Sequence, residues 1–272
     1  MEGPVLVSGL GLMGASLAAA LHAAGIPVLL HHHRPETARR AEALGWGRAV
    51  EDLATPAALA VVCTPVSTIP TIVRAIAAGP TPAITDVGST KAGLVAALAD
   101  LTDRYLGSHP MCGSHRQGLD AADATLYRGR LTLLTPTPAT PSPLRAGVAD
   151  LWRTVGCRLL EVEPARHDLL VAQASHLPHV MANITAALLS AEAAPVCAGG
   201  FRDTTRVAAG SAALWADILS SNAPAVTAMA AAAESRLAHL RHLLDAGDRA
   251  GLETWLREGH DGRQRYEHAR GE

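Results

Sequence analysis

The stretch 4–34, PVLVSGLGLMGASLAAALHAAGIPVLLHHHR, decides the fold. Residues 4–9 are a short apolar run ending in glycine, the pattern of a buried strand. Residues 13–25 are rich in Ala and Leu and close on Gly25, a helix with glycine at its C-terminal cap. Residues 26–32 read as a second strand. Between the first strand and the helix lies Gly9-Leu10-Gly11-Leu12-Met13-Gly14, a GxGxxG turn. The motif alone is weak. Here it follows a strand and opens a helix, which is the context where glycines let the backbone approach a pyrophosphate and the helix N-terminus stabilises its charge. Gly9, Gly11, Leu12, Met13 and Gly14 are therefore expected to hold a dinucleotide; an ordinary tight strand–helix turn is the plain alternative.

The same alternation continues along the chain. Residues 57–64 form a third apolar strand, followed by a helical stretch to about Ala78. Residues 82–88 form a fourth strand, followed by a helix over KAGLVAALADL. Strands near 105–107, 130–134 and 157–162 are expected to extend the sheet. This order predicts an α/β fold, a Rossmann-like doubly wound parallel sheet over residues 1–164. TPTPATPSP (135–143) carries four prolines and is expected in an exposed loop. From 165 to 272 the pattern is all-helical: a run over 165–192 that Pro178 either kinks or divides into a new segment, a long helix over 222–247, a shorter one over 248–259, and a polar, frayed tail. Apolar helices with little sheet to cover imply a homodimer built on this second region.

Composition narrows the partners. The 272 residues carry a net charge of −2 and are 49% hydrophobic, with a pI near 6.7. Neither a nucleic acid nor an anionic membrane is an expected partner. Cys63, Cys112, Cys157 and Cys197 are far apart and form no CxxC pair, the usage of reduced thiols in a cytoplasmic protein. Residues 3–33 contain no charge, but glycines and prolines interrupt them and no basic segment precedes them. A signal peptide or spanning helix is not expected. Arginine outnumbers lysine 22 to one, and Phe201 is the single phenylalanine, which marks Lys91 and Phe201 for attention.

Three segments carry candidate chemistry. An NAD site usually has an acid about 20 residues past the glycines to bond the ribose hydroxyls. That region here is His31-His32-His33-Arg34, with His32 at the acid's place by register. No carboxylate repels a 2′-phosphate, and Arg34 and His33 stand ready to bind one, so NADP is favoured and NAD stays open. Side chains alternating along a strand do not converge on one ion, which argues against a metal tract. Thr64 and Pro65, just past the third strand, join the expected cofactor contacts. TDVGSTK (85–91) lies at the carboxyl end of the fourth strand, where ligands sit in open α/β sheets. Ser89 there is a candidate catalytic hydroxyl, or a helix N-cap, or both. GSHPMCGSHRQG (107–118) places His109 after a short strand at the same edge. Its imidazole is the natural proton acceptor near neutral pH. A structural loop is the plain alternative; a metal would need a fourth ligand beyond His109, Cys112 and His115.

With GLGLMG, DVGSTK, SHPMCGS, HDLLVAQASHLPH (167–179) and GFRDTTRVAAGSAALWADILSSN (200–222) in this order, the chain resembles the prephenate/arogenate dehydrogenases of tyrosine biosynthesis over nearly its whole length. Both rare residues fall inside these motifs. The resemblance implies an oxidoreductase that moves a hydride from a dicarboxylate cyclohexadiene to NAD(P) while the ring loses CO2. It implies that His109 takes the 4-hydroxyl proton, that Ser89 lies near that hydroxyl and the nicotinamide, and that Arg206 clamps a substrate carboxylate. His176 and His179 are implied pocket residues, with helix-end packing as the alternative. Asp203 would orient its neighbours, Arg202 reach a partner subunit's site, and Trp215 serve as core or pocket wall. The family commonly has an acid where this chain has His115, which favours a pyruvyl over an ammonium side chain. Prephenate is therefore expected, with arogenate and 4-amino-4-deoxyprephenate open. No regulatory domain is expected after the helices. Other Rossmann-plus-helix reductases, such as β-hydroxyacid dehydrogenases, would not need both SHPMCG and GFRDTTR. A non-catalytic dinucleotide-sensing protein is the alternative of another class.

Overall fold

The computed structural model describes residues 3–113 and 116–270; His115 lies outside them. The first half runs β1 (Val5–Ser8), α1 (Leu12–Ala23), β2 (Val28–His31), α2 (Pro35–Ala43), β3 (Arg48–Ala49), β4 (Leu59–Val62), α3 (Ile69–Ala77), β5 (Ile84–Asp86) and α4 (Ala92–Ala97). The strands form one sheet in the order β3-β2-β1-β4-β5, parallel throughout. Helices cover both faces, so β1 is apolar without alternation. Val5 and Val7 enter the core beneath α1, with Leu17 and Leu21. Leu6 points the other way, to Ile69, Val73 and Ile76 of α3.

The next three strands depart from the expected single sheet. β6 (Gly107–Pro110), β7 (Leu131–Thr135) and β8 (Arg158–Glu161) form a sheet of their own in the order β6-β7-β8. β6 and β7 are antiparallel, β7 and β8 parallel. The connections explain both. Among the described residues no α-helix lies between β6 and β7, and the chain returns antiparallel. Helix α5 (Ser142–Thr154) supplies the crossover that a parallel β7–β8 pair needs. A bridge between Ile84 and Tyr105 joins the two sheets: Ile84 N–H donates to Arg104 O at 2.7 Å, and Leu106 N–H to Ile84 O at 3.0 Å. Trp152 of α5 is fully buried and donates its Nε1–H to Ser108 Oγ at 3.0 Å. Tyr127 packs at 5.5 Å from the Trp152 ring and donates its hydroxyl to Met13 O at 2.8 Å. These two aromatic residues tie the second sheet to the start of α1.

The expected helical run over 165–192 is two helices, α6 (Pro164–Val171) and α7 (Leu177–Ala187), joined by a π-helical turn at Ala172–His176. Pro178 has no N–H to give and its ring crowds the carbonyl four residues earlier, so the backbone widens there. Glu163 caps α6, accepting from Ala165 N–H at 3.0 Å and Arg166 N–H at 2.8 Å. α8 (Gly199–Thr205), a 3₁₀ turn Arg206–Ala209 and α9 (Ala212–Ser221) follow.

Two compact units result, Met1–Ala223 and Pro224–Glu272, so the division foreseen at 164/165 lies within the first. The second unit holds all but the first residue of α10 (Ala223–Asp245), and α11 (Arg249–Arg270). α11 continues through the segment expected to fray after Gly259. Glu253–Arg257 and Arg263–Glu267 pair one turn apart at 2.8 and 2.7 Å. Arg236 of α10 bonds Glu258 at 2.5 Å and lies 5.0 Å over the Trp255 ring. Among the described residues, no helix is long and apolar enough to cross a membrane.

Candidate active site

The glycine turn is built for close approach. Gly9 has φ +97°, and a Cβ there would sit 2.7 Å from Cys63 O. A Cβ on Gly14 would stand 1.8 Å from Gly9 O, so α1 could not pack against β1. At Gly11 a Cβ would meet nothing within 4 Å: it would project into the space a pyrophosphate must use. Leu12 and Met13 open α1 behind it. A cavity of about 210 Å³ lies over this turn, walled by Gly9, Gly11, His31, His32, His33, Thr64 and Pro65 among others. The residues fit a dinucleotide.

The rim is made of imidazoles. His31 Nδ1 lies 2.9 Å from Ser8 Oγ. His32 Nδ1 accepts the Arg34 N–H at 3.1 Å, and its ring stacks obliquely on His33 at 4.2 Å. Burial, then the neighbouring His33, lowers the pKa of His31 and His32. The Arg34 side chain is exposed at the start of α2.

A second group of side chains gathers at the far edge of β5. His109 lies within β6 rather than after it, and is 8% exposed. Its Nδ1 is 2.9 Å from His167 Nε2, and His167 Nδ1 is 2.7 Å from Asp168 Oδ1. Asp168 also accepts from Lys91 N–H at 2.8 Å and Ala92 N–H at 3.0 Å. The N-terminus of α4 is thus capped from α6, not by Ser89. Lys91 forms a wholly buried ion pair with Asp86. Asp86 accepts further from Tyr105 Oη at 2.8 Å, Gly88 N at 2.7 Å and Ser108 N at 3.2 Å. The loop carrying the half-buried Ser89 is therefore pinned at both ends by carboxylates. Removing one partner of such a buried pair typically costs about 3–5 kcal/mol.

The helices complete the group. Asn222 Nδ2 donates to Asp168 O at 2.9 Å and lies 3.2 Å from His176 Nδ1. Trp215 of α9 meets His176 edge-on at 6.3 Å and stacks on His179 at 3.5 Å, nearly parallel. His179 Nδ1 is buried with no protein partner. α9 is tied to the sheet side: Ser67 N–H donates to Asp217 Oδ2 at 3.2 Å, and Thr90 Oγ1 to Ser221 Oγ at 3.0 Å. Arg206 opens the 3₁₀ turn that packs on α7, the helix of His179, and its side chain is exposed. Arg202 and Asp203 pair with each other at 3.0 Å on the surface. His109, His176 and His179 thus belong to one connected group, while Arg202, Asp203 and Arg206 stand at the exposed side of α7's neighbours. Among the described residues no set of His, Cys, Asp or Glu is placed to hold a metal ion.

His167, Asp168, Asp86, Tyr105 and Asn222 escaped the sequence reading. His167-Asp168 opens one of the five motifs, and Lys91 stood out as the single lysine. Nothing local says that a histidine 58 residues on will meet His109, or that Asp86 will meet Lys91.

A glycine-turn dinucleotide cradle on one sheet, with a buried, carboxylate-backed imidazole on the sheet bridged to it, defines a nicotinamide-dependent oxidoreductase. Two family models match: "Prephenate dehydrogenase, nucleotide-binding domain" over residues 17–161 and "Prephenate dehydrogenase, dimerization domain" over 163–258. The cyclohexadienyl dehydrogenase of Zymomonas mobilis is 35% identical over 243 residues, 82% of each chain. The prephenate dehydrogenase of A. aeolicus, solved with hydroxyphenyl propionate and NAD+, superposes with a TM-score of 0.89 at 28% identity, covering 98% of this chain and 99% of that one. The Synechocystis arogenate dehydrogenase gives 0.83 at 27%, covering 97% and 99%. The chain belongs to the prephenate dehydrogenase family, and its cofactor is a nicotinamide dinucleotide.

Burial pushes the pKa of His109 well below 6.5, with His167, Lys91 and His176 adding to the fall. Burial likewise lowers His176 to about 4, against the opposing pull of Asp168. Burial opposes the charge on Asp168, but the bonds from His167, Lys91 and Ala92 outweigh it and hold its pKa below 3.8. Between pH 6.5 and about 4 the unfolded chain binds more protons at these histidines than the folded one. Their contribution is complete above pH 6.5 and is lost as pH falls through that window; Asp168 adds its loss only at lower pH. The thermal midpoint, followed by circular dichroism, is expected to fall from pH 7 to pH 4. In His176→Gln the fall is shallower; an unchanged slope would contradict the assignment.

Proposed function

We propose that the chain oxidatively decarboxylates prephenate to 4-hydroxyphenylpyruvate. The buried His109, backed by His167 and Asp168, is the observation that carries this reading. The bound nicotinamide supplies a hydride acceptor. His109 takes the proton of the 4-hydroxyl as the C4–H bond releases its hydride and the ring oxygen forms a carbonyl. The C1–carboxylate bond then breaks; its electron pair enters the ring, CO2 leaves, and the oxygen regains a proton from His109. The product is aromatic, and no net proton is consumed. Ser89 bonds the 4-hydroxyl. Arg206 holds a substrate carboxylate, with Arg202 and Asp203 ordering its surroundings. His176 and His179 line the pocket, and the unpartnered His179 Nδ1 supports that role; His115, outside the described residues, is proposed as a substrate contact from its place in the sequence alone. Arogenate is the second reading, favoured by the likeness to the Synechocystis enzyme.

We further propose that residues 1–164 hold the cofactor and that 165–272 bind substrate and form a homodimer in the cytoplasm. The break between the two matched regions, at 161 and 163, supports the division. NADP is the proposed cofactor: the rim at 31–34 has three histidines, an arginine and no carboxylate.

His109→Asn is expected to keep dinucleotide binding, measured by fluorescence titration, and to lose about 10²–10⁴-fold in kcat. Near-normal turnover would remove the proton acceptor. Arg206→Ala is expected to raise KM for prephenate about 10-fold or more, the worth of one charge-assisted hydrogen bond, with a smaller effect on kcat. For Arg34→Ala, steady-state assays with both dinucleotides are expected to show KM for NADP rising about 10-fold and KM for NAD little changed; equal effects would defeat the 2′-phosphate role.

A further inference from the structure

The hydrogen bonds running back from His109 have a direction that the groups themselves dictate. Asp168 receives two backbone N–H groups, from Lys91 and Ala92, and a backbone N–H can only donate. Its carboxylate is therefore the acceptor end of the chain. The group facing Asp168 Oδ1 at 2.7 Å is His167 Nδ1, which must carry a hydrogen. A neutral His167 then has a bare Nε2. That nitrogen sits 2.9 Å from His109 Nδ1, which must donate to it. A neutral His109 with hydrogen on Nδ1 has its lone pair on Nε2, the nitrogen on the far side of the ring. His167 is wholly buried and Asp168 nearly so, so neither meets a ligand directly; both act through their neighbours.

We propose that His167 and Asp168 are positioning residues that fix His109 as its Nδ1–H tautomer and present the bare Nε2 to the substrate hydroxyl. The proposal rests on the reading of His109 as proton acceptor. Without the relay the ring is free to turn and to place its hydrogen on Nε2, which cannot take a proton. The relay also stabilises the imidazolium that forms in the step, because His167 continues to accept from Nδ1. The same carboxylate caps α4, and so holds the loop of Ser89 in register with the base. One group thereby sets the relation between the two residues proposed to touch the reacting hydroxyl.

The test uses the full-length protein labelled with nitrogen-15 histidine, the His109 ring being assigned by its loss in His109→Asn. In mildly alkaline buffer without substrate, His109 is expected to be protonated on Nδ1 and bare on Nε2. A ring protonated on Nε2 overturns the proposal, whatever the activity. In steady-state assays His167→Leu is expected to lose about 10–100-fold in kcat, with KM within about threefold of the parent. Its His109 signals shift towards the Nε2–H form. His167→Gln, whose amide oxygen can accept the same Nδ1–H, is expected to recover most of the loss. A His167→Leu enzyme with parental kcat, or a folded His167→Gln enzyme no better than it, overturns the proposal. Should both variants fail to fold, the tautomer of the parent protein decides. Should His109→Asn stay active, the proton-acceptor reading fails by itself, and the tautomer measurement still judges the relay.

Discussion

A charged carboxylate taken out of water must be surrounded by donors, and Asp168 meets that demand by drawing three parts of the chain together. It takes one imidazole from its own helix and two backbone N–H groups from the start of α4. Through His167 it reaches β6, and through its backbone carbonyl it receives Asn222 after α9. The first sheet, the second sheet and the helices are thereby fastened at one point. Leaving any of these donors unmade would strand a buried charge, so the fastening and the site geometry stand or fall together.

The site obeys a consistent electrostatic rule. Its ions, Asp86, Lys91 and Asp168, are paired or bonded on every side, whereas His109 and His176 are kept neutral by burial. Burial disfavours the charged form of His109, at some cost to stability in acid, and so favours the neutral state that the proposed proton acceptor requires; the ions nearby hold the backbone still. At the other end of the first sheet the three imidazoles, next to the exposed Arg34, border the glycine turn without a single carboxylate among residues 31–34.

How much of this the sequence disclosed depends on distance along the chain. The strand–glycine–helix unit of 4–34 is legible because a buried parallel strand, a turn that tolerates no side chain and a helix each leave a local mark. His109 and Ser89 were legible as residue types at a sheet edge. The pairing of β6 with β7 was not, since it depends on how the chain returns between them, which no local pattern marks. The capping of α4 misled for a related reason: Ser89 is the local candidate, yet a carboxylate 77 residues from Lys91 does the work. The helical ending of α11 hid because its glycines speak louder, locally, than ion pairs one turn apart.

The π-helical turn between α6 and α7 sets the angular phase of the histidines. In a regular helix, eight steps from Asp168 to His176 would leave the two side chains about 80° apart around the axis. One surplus residue in the turn brings them within about 20°, so that both can border Asn222. The alignment of His176 with the carboxylate of Asp168 is therefore set by the residue count of the turn. Segment 172–175 tolerates exchange of its side chains far better than a change in its length.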